Sequence, residues 1–263
     1  MSDTMRSALC DGRGAVTVHD VPMPERFPGS ALIHVRRSGI CGSDLHMNRE
    51  RAHPQTLPSG HEVAGEVVEL PPGETRFAVG DRVVLETVGA GLSCGACWYC
   101  KTGQYRHCLD KAPDPGGGFA EYVARRPAGM FKLPDVLDYR EGALVEPLSI
   151  GVHAVRRGGM RPGDAVAVVG SSPIGLAATA AARYMGAAHI VASARHPHQA
   201  AAAEAMGADR VVTDEPGRLE QAARDATDGR GADIVFETVG GSLPAPLEQS
   251  IAAARPQGRV VEV

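Results

Sequence analysis

Apolar and polar positions alternate through the first half of the chain in short stretches, which predicts β-strands broken by frequent turns. Ala31–Arg37 (ALIHVRR) and Glu62–Val68 (EVAGEVV) alternate well enough to turn one face to a core. Val83–Leu85, after the Gly80-Asp81 turn, and Phe119–Val123, after Gly116-Gly117-Gly118, repeat the signature in shorter form. Short strands with Pro and Gly punctuation predict a barrel or sandwich. A loop with two prolines, His53–Pro58, precedes Gly60-His61-Glu62.

The texture changes near Val152. Apolar runs of strand length now alternate with alanine-rich runs of helix length. Strands are predicted at Ala165–Val169, His189–Ala192, Arg210–Val212, Asp233–Phe236 and Arg259–Val263. Helices are predicted at Ile174–Met185 and Pro197–Met206, near Arg218–Ala226 and near Leu247–Ala254. Pro173 and Pro197 stand near the N-termini of the first two helices, and Gly186 and Gly207 at their C-termini. Such alternation predicts βαβ units and a parallel sheet.

Composition narrows the class. At 263 residues and 43% hydrophobic, the chain can bury a substantial core, which excludes a disordered segment. The net charge of −4 gives no electrostatic footprint for nucleic acid. Only Lys101, Lys111 and Lys132 among its 27 basic residues are lysines, and the arginines are scattered. The opening MSDTMRSALCDGRG has no apolar signal-peptide core. The uncharged run Ala165–Ala182 contains Gly-Ser-Ser-Pro, which fits a strand, turn and helix better than a membrane span of about 20 strongly apolar residues. A cytoplasmic protein without membrane or nucleic-acid partners is expected.

Cysteine usage is the first chemical signal. Cys94, Cys97, Cys100 and Cys108 crowd into one segment, SCGACWYCKTGQYRHC. In a long chain without an export signal, the spacing C-x2-C-x2-C-x7-C points to thiolates converging on a tetrahedral Zn2+ rather than to disulfides. Four sulfurs close the shell, so such a site is structural. Cys10 reads as a packed thiol in the first strand.

A second signal is the turn Gly170-Ser171-Ser172-Pro173-Ile174-Gly175, between the first strand and first helix of the alternating half. A dinucleotide pyrophosphate meets free backbone N–H groups at such a place. Ser172 replaces the middle glycine of G-x-G-x-x-G, and its hydroxyl can donate to a phosphate. A ligand-free turn would look the same, but its position at the head of a βα run favours dinucleotide binding. The next strand ends Ala192-Ser193-Ala194-Arg195, offering a hydroxyl and a guanidinium but no carboxylate for a ribose 2′-OH. Ser193 and Arg195 therefore predict NADP(H) over NAD(H), the alternative for Arg195 being a solvated surface charge.

A third set is dispersed. Cys41 lies in GICGSDLH, His61 in GHE and Glu146 in LVEP. One thiolate, one imidazole and one carboxylate would leave a fourth position open, as in a catalytic zinc site. Spacing alone does not separate this from a buried Cys, a core His and a surface Glu that never meet.

The motifs resemble the zinc-dependent medium-chain alcohol dehydrogenases, in particular the branch holding sorbitol, threonine and butanediol dehydrogenases. The matching segments are CGSDLH (Cys41–His46), GHEVAGEVVE (Gly60–Glu69), VGDRV (Val79–Val83), CGACWYCKTGQYRHC (Cys94–Cys108), GGFAEYV (Gly117–Val123) and EPLSIGVHAVRR (Glu146–Arg157). They occur in family order and, with the glycine turn, span most of the chain.

The resemblance implies an α/β protein. A GroES-like β-rich catalytic domain would cover residues 1–152, with a structural-zinc lobe at about 91–110, and an incomplete Rossmann doubly wound parallel sheet would cover 153–263. It implies that Cys41 and His61 are fixed ligands of a catalytic zinc. Glu62 and Glu146 are variable ones, binding directly or through water, and Asp44 orients His61. Cys94, Cys97, Cys100 and Cys108 would hold the structural zinc. The implied activity is hydride transfer between an alcohol or polyol and NADP(H) or NAD(H), with Ser43 taking the hydroxyl proton and passing it toward His46. Such relatives continue beyond Val263, so a truncated C-terminus with an unpaired apolar sheet edge is expected, and with it poor solubility or inactivity. The alternative is a non-catalytic zinc- and nucleotide-binding fragment. A homo-oligomer is expected of a full-length chain. A zinc-free reductase of the same superfamily would have no use for Cys41, His61 or the four-cysteine lobe.

Overall fold

The computed structural model of the protein describes residues 3–50, 53–241 and 243–263. The chain divides into two compact units, Met1–Glu146 and Pro147–Val263. The division falls inside a helix, ahead of the change of texture at Val152.

In the first unit, β1 (Thr4–Cys10) and β2 (Val16–Pro22) form an antiparallel pair, from Thr4 opposite Pro22 to Cys10 opposite Val16. Then come β3 (Ala31–Gly39), the short helix α1 (Gly42–Glu50), β4 (Glu62–Glu69) and β5 (Arg82–Leu85). The helix α2 (Trp98–Lys101), β6 (Tyr122–Arg125), β7 (Met130–Lys132) and α3 (Tyr139–Ala143) follow, and α4 (Val145–Arg157) leads into the second unit. The larger sheet is antiparallel, in the order β6-β3-β4-β5-β7. Ile33, Val63, Val67, Val83, Leu85, Val123 and Met130 pack on one of its faces. Burying an aliphatic side chain of this kind contributes about 1.5–3 kcal/mol, which fixes the register through the two-residue period of the strands.

One strand shifts, and one helix carried no expectation. The strand expected at Phe119–Val123 begins instead at Tyr122. The backbone of Phe119 is engaged elsewhere: its N–H donates to the Ser59 carbonyl (2.8 Å) and its carbonyl accepts from Ala8 (2.8 Å). The helix α1 had no periodic signal because Asp44 is its only buried residue, so no apolar stripe marks it.

The second unit alternates as the pattern predicts: β8 (Ala165–Val169), α5 (Pro173–Tyr184), β9 (His189–Ala194), α6 (Pro197–Ala205), β10 (Arg210–Thr213), α7 (Arg218–Asp225), β11 (Ala232–Glu237), α8 (Ala245–Ala253) and β12 (Ala254–Glu262). All five strands are parallel, in the order β10-β9-β8-β11-β12. Along β8, Val166 and Val168 face a core layer with Ala178, Ala181 and Ala182 of α5, while Ala167 and Val169 face one with Leu219, Ala222 and Ala223 of α7. Burial on both faces explains why the run is apolar without alternation. The order reverses at β8, and in open parallel sheets ligands bind beyond the carboxyl ends of the strands at that point. The uncharged run Ala165–Ala182 is thus β8, a turn and most of α5. Among the described residues no helix is long and apolar enough to cross a membrane.

Candidate functional site

Strand pairing builds the dispersed cluster. In the β3–β4 ladder, Gly39 lies opposite Glu62. Cys41 follows the end of β3 by two residues and His61 precedes the start of β4 by one, so this register brings them together. The Cys41 sulfur, a His61 ring nitrogen and a Glu62 carboxylate oxygen lie within 4.8 Å of one another. Glycine at position 39 leaves room for the Glu62 carboxylate, which a Cβ there would displace.

Asp44, in the first turn of α1, backs the cluster. Its Oδ2 accepts the Cys41 N–H at 2.9 Å. Its buried Oδ1 has no hydrogen-bond partner and lies 3.9 Å from His61 Nδ1. Burial raises the Glu62 carboxyl above its ordinary range; His61 opposes that rise and Asp44 adds to it. Glu146, at the start of α4, is raised in the same way, by burial first, with His61 opposing and Glu62, Glu86 and Asp44 adding. It lies outside the tight set of three. Buried carboxylates around one imidazole, with an orphaned acceptor behind it, fit a bound divalent cation: the cation would supply the missing charge and His61 the missing N–H. The donor set of one sulfur, one nitrogen and one oxygen suits zinc with an open position. Ser43 and His46 are exposed on α1, and His46 Nε2 lies 3.3 Å from Glu50 Oε1 one turn on.

The four-cysteine lobe assembles locally. All four sulfurs lie within 4.8 Å of one another and none is in a disulfide. Cys97 and Cys100 sulfurs are 3.5 Å apart, Cys94 and Cys100 sulfurs 3.9 Å. A tetrahedron with Zn–S bonds of about 2.3 Å has edges of about 3.8 Å, so the lobe already has the size of a zinc shell. Backbone N–H groups of Ala96 and Cys97 point at Cys94 Sγ, both at 3.4 Å, and that of Cys94 at Cys108 Sγ at 3.3 Å. The Leu109 and Cys100 backbone N–H groups draw the Cys97 thiol down to about 6, while burial pushes Cys100 up to about 12.

In the second unit the glycine turn closes at the carboxyl end of β8. Gly170 adopts φ +90°, and a Cβ on Gly175 would stand 2.0 Å from the Gly170 carbonyl oxygen. Ser171 Oγ donates to the Ser193 carbonyl (2.8 Å), and Ser193 Oγ accepts the Gly170 N–H (3.0 Å). Ser172 Oγ lies 3.4 Å from the Thr238 carbonyl. Pro173, Ile174 and Gly175 form the first turn of α5. A cavity of about 580 Å³ opens here, lined by Gly170, Ser171, Ser172, Ser193 and Arg195 among others. Ser193 is buried and braces the turn, whereas Arg195 is exposed. Two further residues at this turn had no signal along the chain. Thr238 Oγ1 donates to the Val169 carbonyl at 2.8 Å. Asp214 lines the same cavity just beyond β10. Thr238 reaches the turn through β11, which pairs with β8, and Asp214 reaches the cavity through β10, which pairs with β9.

Comparison with known proteins identifies relatives of both units. Residues 27–135 match the family profile "Alcohol dehydrogenase GroES-like domain" and residues 173–263 the profile "Zinc-binding dehydrogenase". Sorbitol dehydrogenase of Bacillus subtilis is 35% identical over 98% of this chain and 74% of its own length. (R,R)-butanediol dehydrogenase of the same organism is 34% identical over 98% of this chain and 77% of its own. Among solved structures, a zinc-binding dehydrogenase homologue from Sinorhizobium meliloti 1021, bound to NADP, superimposes with a TM-score of 0.82 at 31% identity, covering 99% of this chain and 77% of that one.

Proposed function

The chain belongs to the zinc-dependent medium-chain alcohol dehydrogenases and is an NAD(P)-dependent oxidoreductase of alcohols or polyols; within that family we propose that Cys41, His61 and Glu62 hold its reactive zinc. The observation that carries this is the convergence of the three donor atoms within 4.8 Å through the Gly39–Glu62 register. Zinc bound there supplies Lewis acidity that favours the ionised form of the alcohol, and a bound nicotinamide ring accepts the hydride.

This chain's residues do the rest. Asp44 fixes the Cys41 backbone, and its Oδ1 faces His61 Nδ1 at 3.9 Å, close enough to orient the ring so that Nε2 is the nitrogen offered to the metal. Glu146 is the second acid, exchanging with Glu62 or holding a water. Ser43 accepts the alcohol proton and passes it toward His46, which stands three residues further along α1, on the same helix face and open to solvent. The four cysteines hold a second, structural zinc, for a total of two per chain. Ser171, Ser172 and the amino end of α5 receive the pyrophosphate, and Arg195 favours NADP(H). The NADP-bound S. meliloti structure supports a nicotinamide cofactor of that kind. The substrates are small alcohols or polyols, as in the sorbitol and butanediol dehydrogenases.

Zinc analysis combined with a panel of secondary alcohols, diols and polyols tests the assignment. Two zinc ions per chain are expected in the native protein. In Cys41→Ser one zinc should remain and cofactor reduction should be lost. Turnover retained in that variant would remove the reactive site from Cys41.

A further inference from the structure

Resting on the reading of the cavity beyond β8 as the dinucleotide site, we propose that Asp214 sets the balance between NAD(H) and NADP(H) by competing with the adenosine 2′-phosphate for Arg195. Parallel pairing places Thr213, the last residue of β10, beside Ala194, the last of β9. The residues that follow, Asp214 and Arg195, therefore emerge side by side, and both line the cavity. Arg195 Nε donates to Asp214 Oδ2 at 2.9 Å.

The charges around the cavity make this pair decisive. Arg195 is the only Arg or Lys among the described residues that line it; Asp214, Glu220 and Glu248 are the acids. Glu220 is already paired with Arg224, at 2.9 Å. A phosphate monoester carries about −1.5 to −2 charge at neutral pH and is gripped best by two parallel N–H groups of a guanidinium fork. With Nε committed to Asp214, the fork edge that includes Nε is blocked, and the carboxylate adds like-charge repulsion. For NAD(H) the sign reverses. An adenosine 2′-OH needs an acceptor, which strand β9 does not end in; Asp214 offers one from the neighbouring strand. Arg195 thus favours the phosphate and Asp214 the hydroxyl. The side chains are 71% and 43% exposed, so the pair is a solvated ion pair of modest strength that either ligand can reorganise.

Binding of NADH and NADPH to the whole chain, followed by nicotinamide fluorescence at fixed salt, reads this without requiring turnover. In Asp214→Asn the ratio Kd(NADH)/Kd(NADPH) should rise by about threefold or more, a size in keeping with an exposed ion pair. In Arg195→Ala the ratio should fall. In the double variant, Asp214→Asn should raise it clearly less than in the native background, because the competition for Arg195 is gone and only the direct effects of the carboxylate remain. A smaller rise or a fall in Asp214→Asn, or an undiminished rise in the Arg195→Ala background, overturns the competition while leaving the cavity as the cofactor site. Binding of neither dinucleotide by the native chain overturns both.

Discussion

The two proposed metal-ligand sets are built in opposite ways. The lobe set, Cys94, Cys97, Cys100 and Cys108, comes from one continuous loop in which backbone N–H groups already point at the sulfurs. The reactive set, Cys41, His61 and Glu62, exists only when β3 and β4 pair in one register. A local set can organise around its ion with little help from the rest of the domain. A long-range set inherits its geometry from a sheet and can be damaged without touching a ligand. The difference matches their tasks: a closed shell stabilises a loop, whereas an open one must hold three ligands in place and leave a fourth position free.

The sharpest way to break that comparison is to remove one lobe sulfur. Structural zinc contributes directly to folding, so Cys94→Ala should lose the lobe zinc and lower the melting temperature by about 10 °C or more. Cys41→Ser should barely move it. Calorimetry with zinc analysis on both variants separates the sets, and equal shifts would mean that both ions are structural.

Next in size is damage to the register's tightest point. Gly39→Ala places a methyl group 1.9 Å from Glu62 Oε2 and 3.1 Å from Glu62 Cβ. The carboxylate must leave, so kcat/KM should fall about a hundredfold with the four-cysteine zinc retained, since misplacing a reacting group by about 1 Å costs that much. Unchanged turnover would show that Glu62 is not needed and that Glu146 is the working acid.

The same contrast explains what could be read along the chain. Sites and strands of short range were legible: the cysteine spacing, and β8 at Ala165–Val169, whose burial on both faces leaves an unbroken apolar run. The β1–β2 pair was only partly legible, because Val16–Pro22 is exposed along almost its whole length and carries no alternation. For Cys41, His61 and Glu146, spacing could not decide whether they meet, and family motifs supplied what periodicity lacked. Asp214 left no mark at all, because its partner Arg195 is reached through the pairing of β9 and β10. Residues whose role depends on strand register are invisible until the register is known.

The smallest effect tests support rather than ligation. Asp44 touches the reactive set twice, accepting the Cys41 N–H through Oδ2 and facing His61 Nδ1 through Oδ1. Asp44→Asn can keep the first contact with its amide oxygen, but then turns an N–H donor toward His61. The imidazole would be driven to carry its proton on Nε2, the nitrogen the metal needs. Zinc affinity at the reactive site should fall by about tenfold, in the range seen when a carboxylate behind a ligating histidine is lost. Chelator competition measures that loss, and the lobe zinc of the same variant serves as the internal reference. Asp44→Ala should be worse, since it also frees the Cys41 N–H. If Asn and Ala weaken binding equally, the brace on the Cys41 backbone adds nothing and Asp44 acts only through His61; if neither weakens it, His61 takes its orientation from the β4 strand alone.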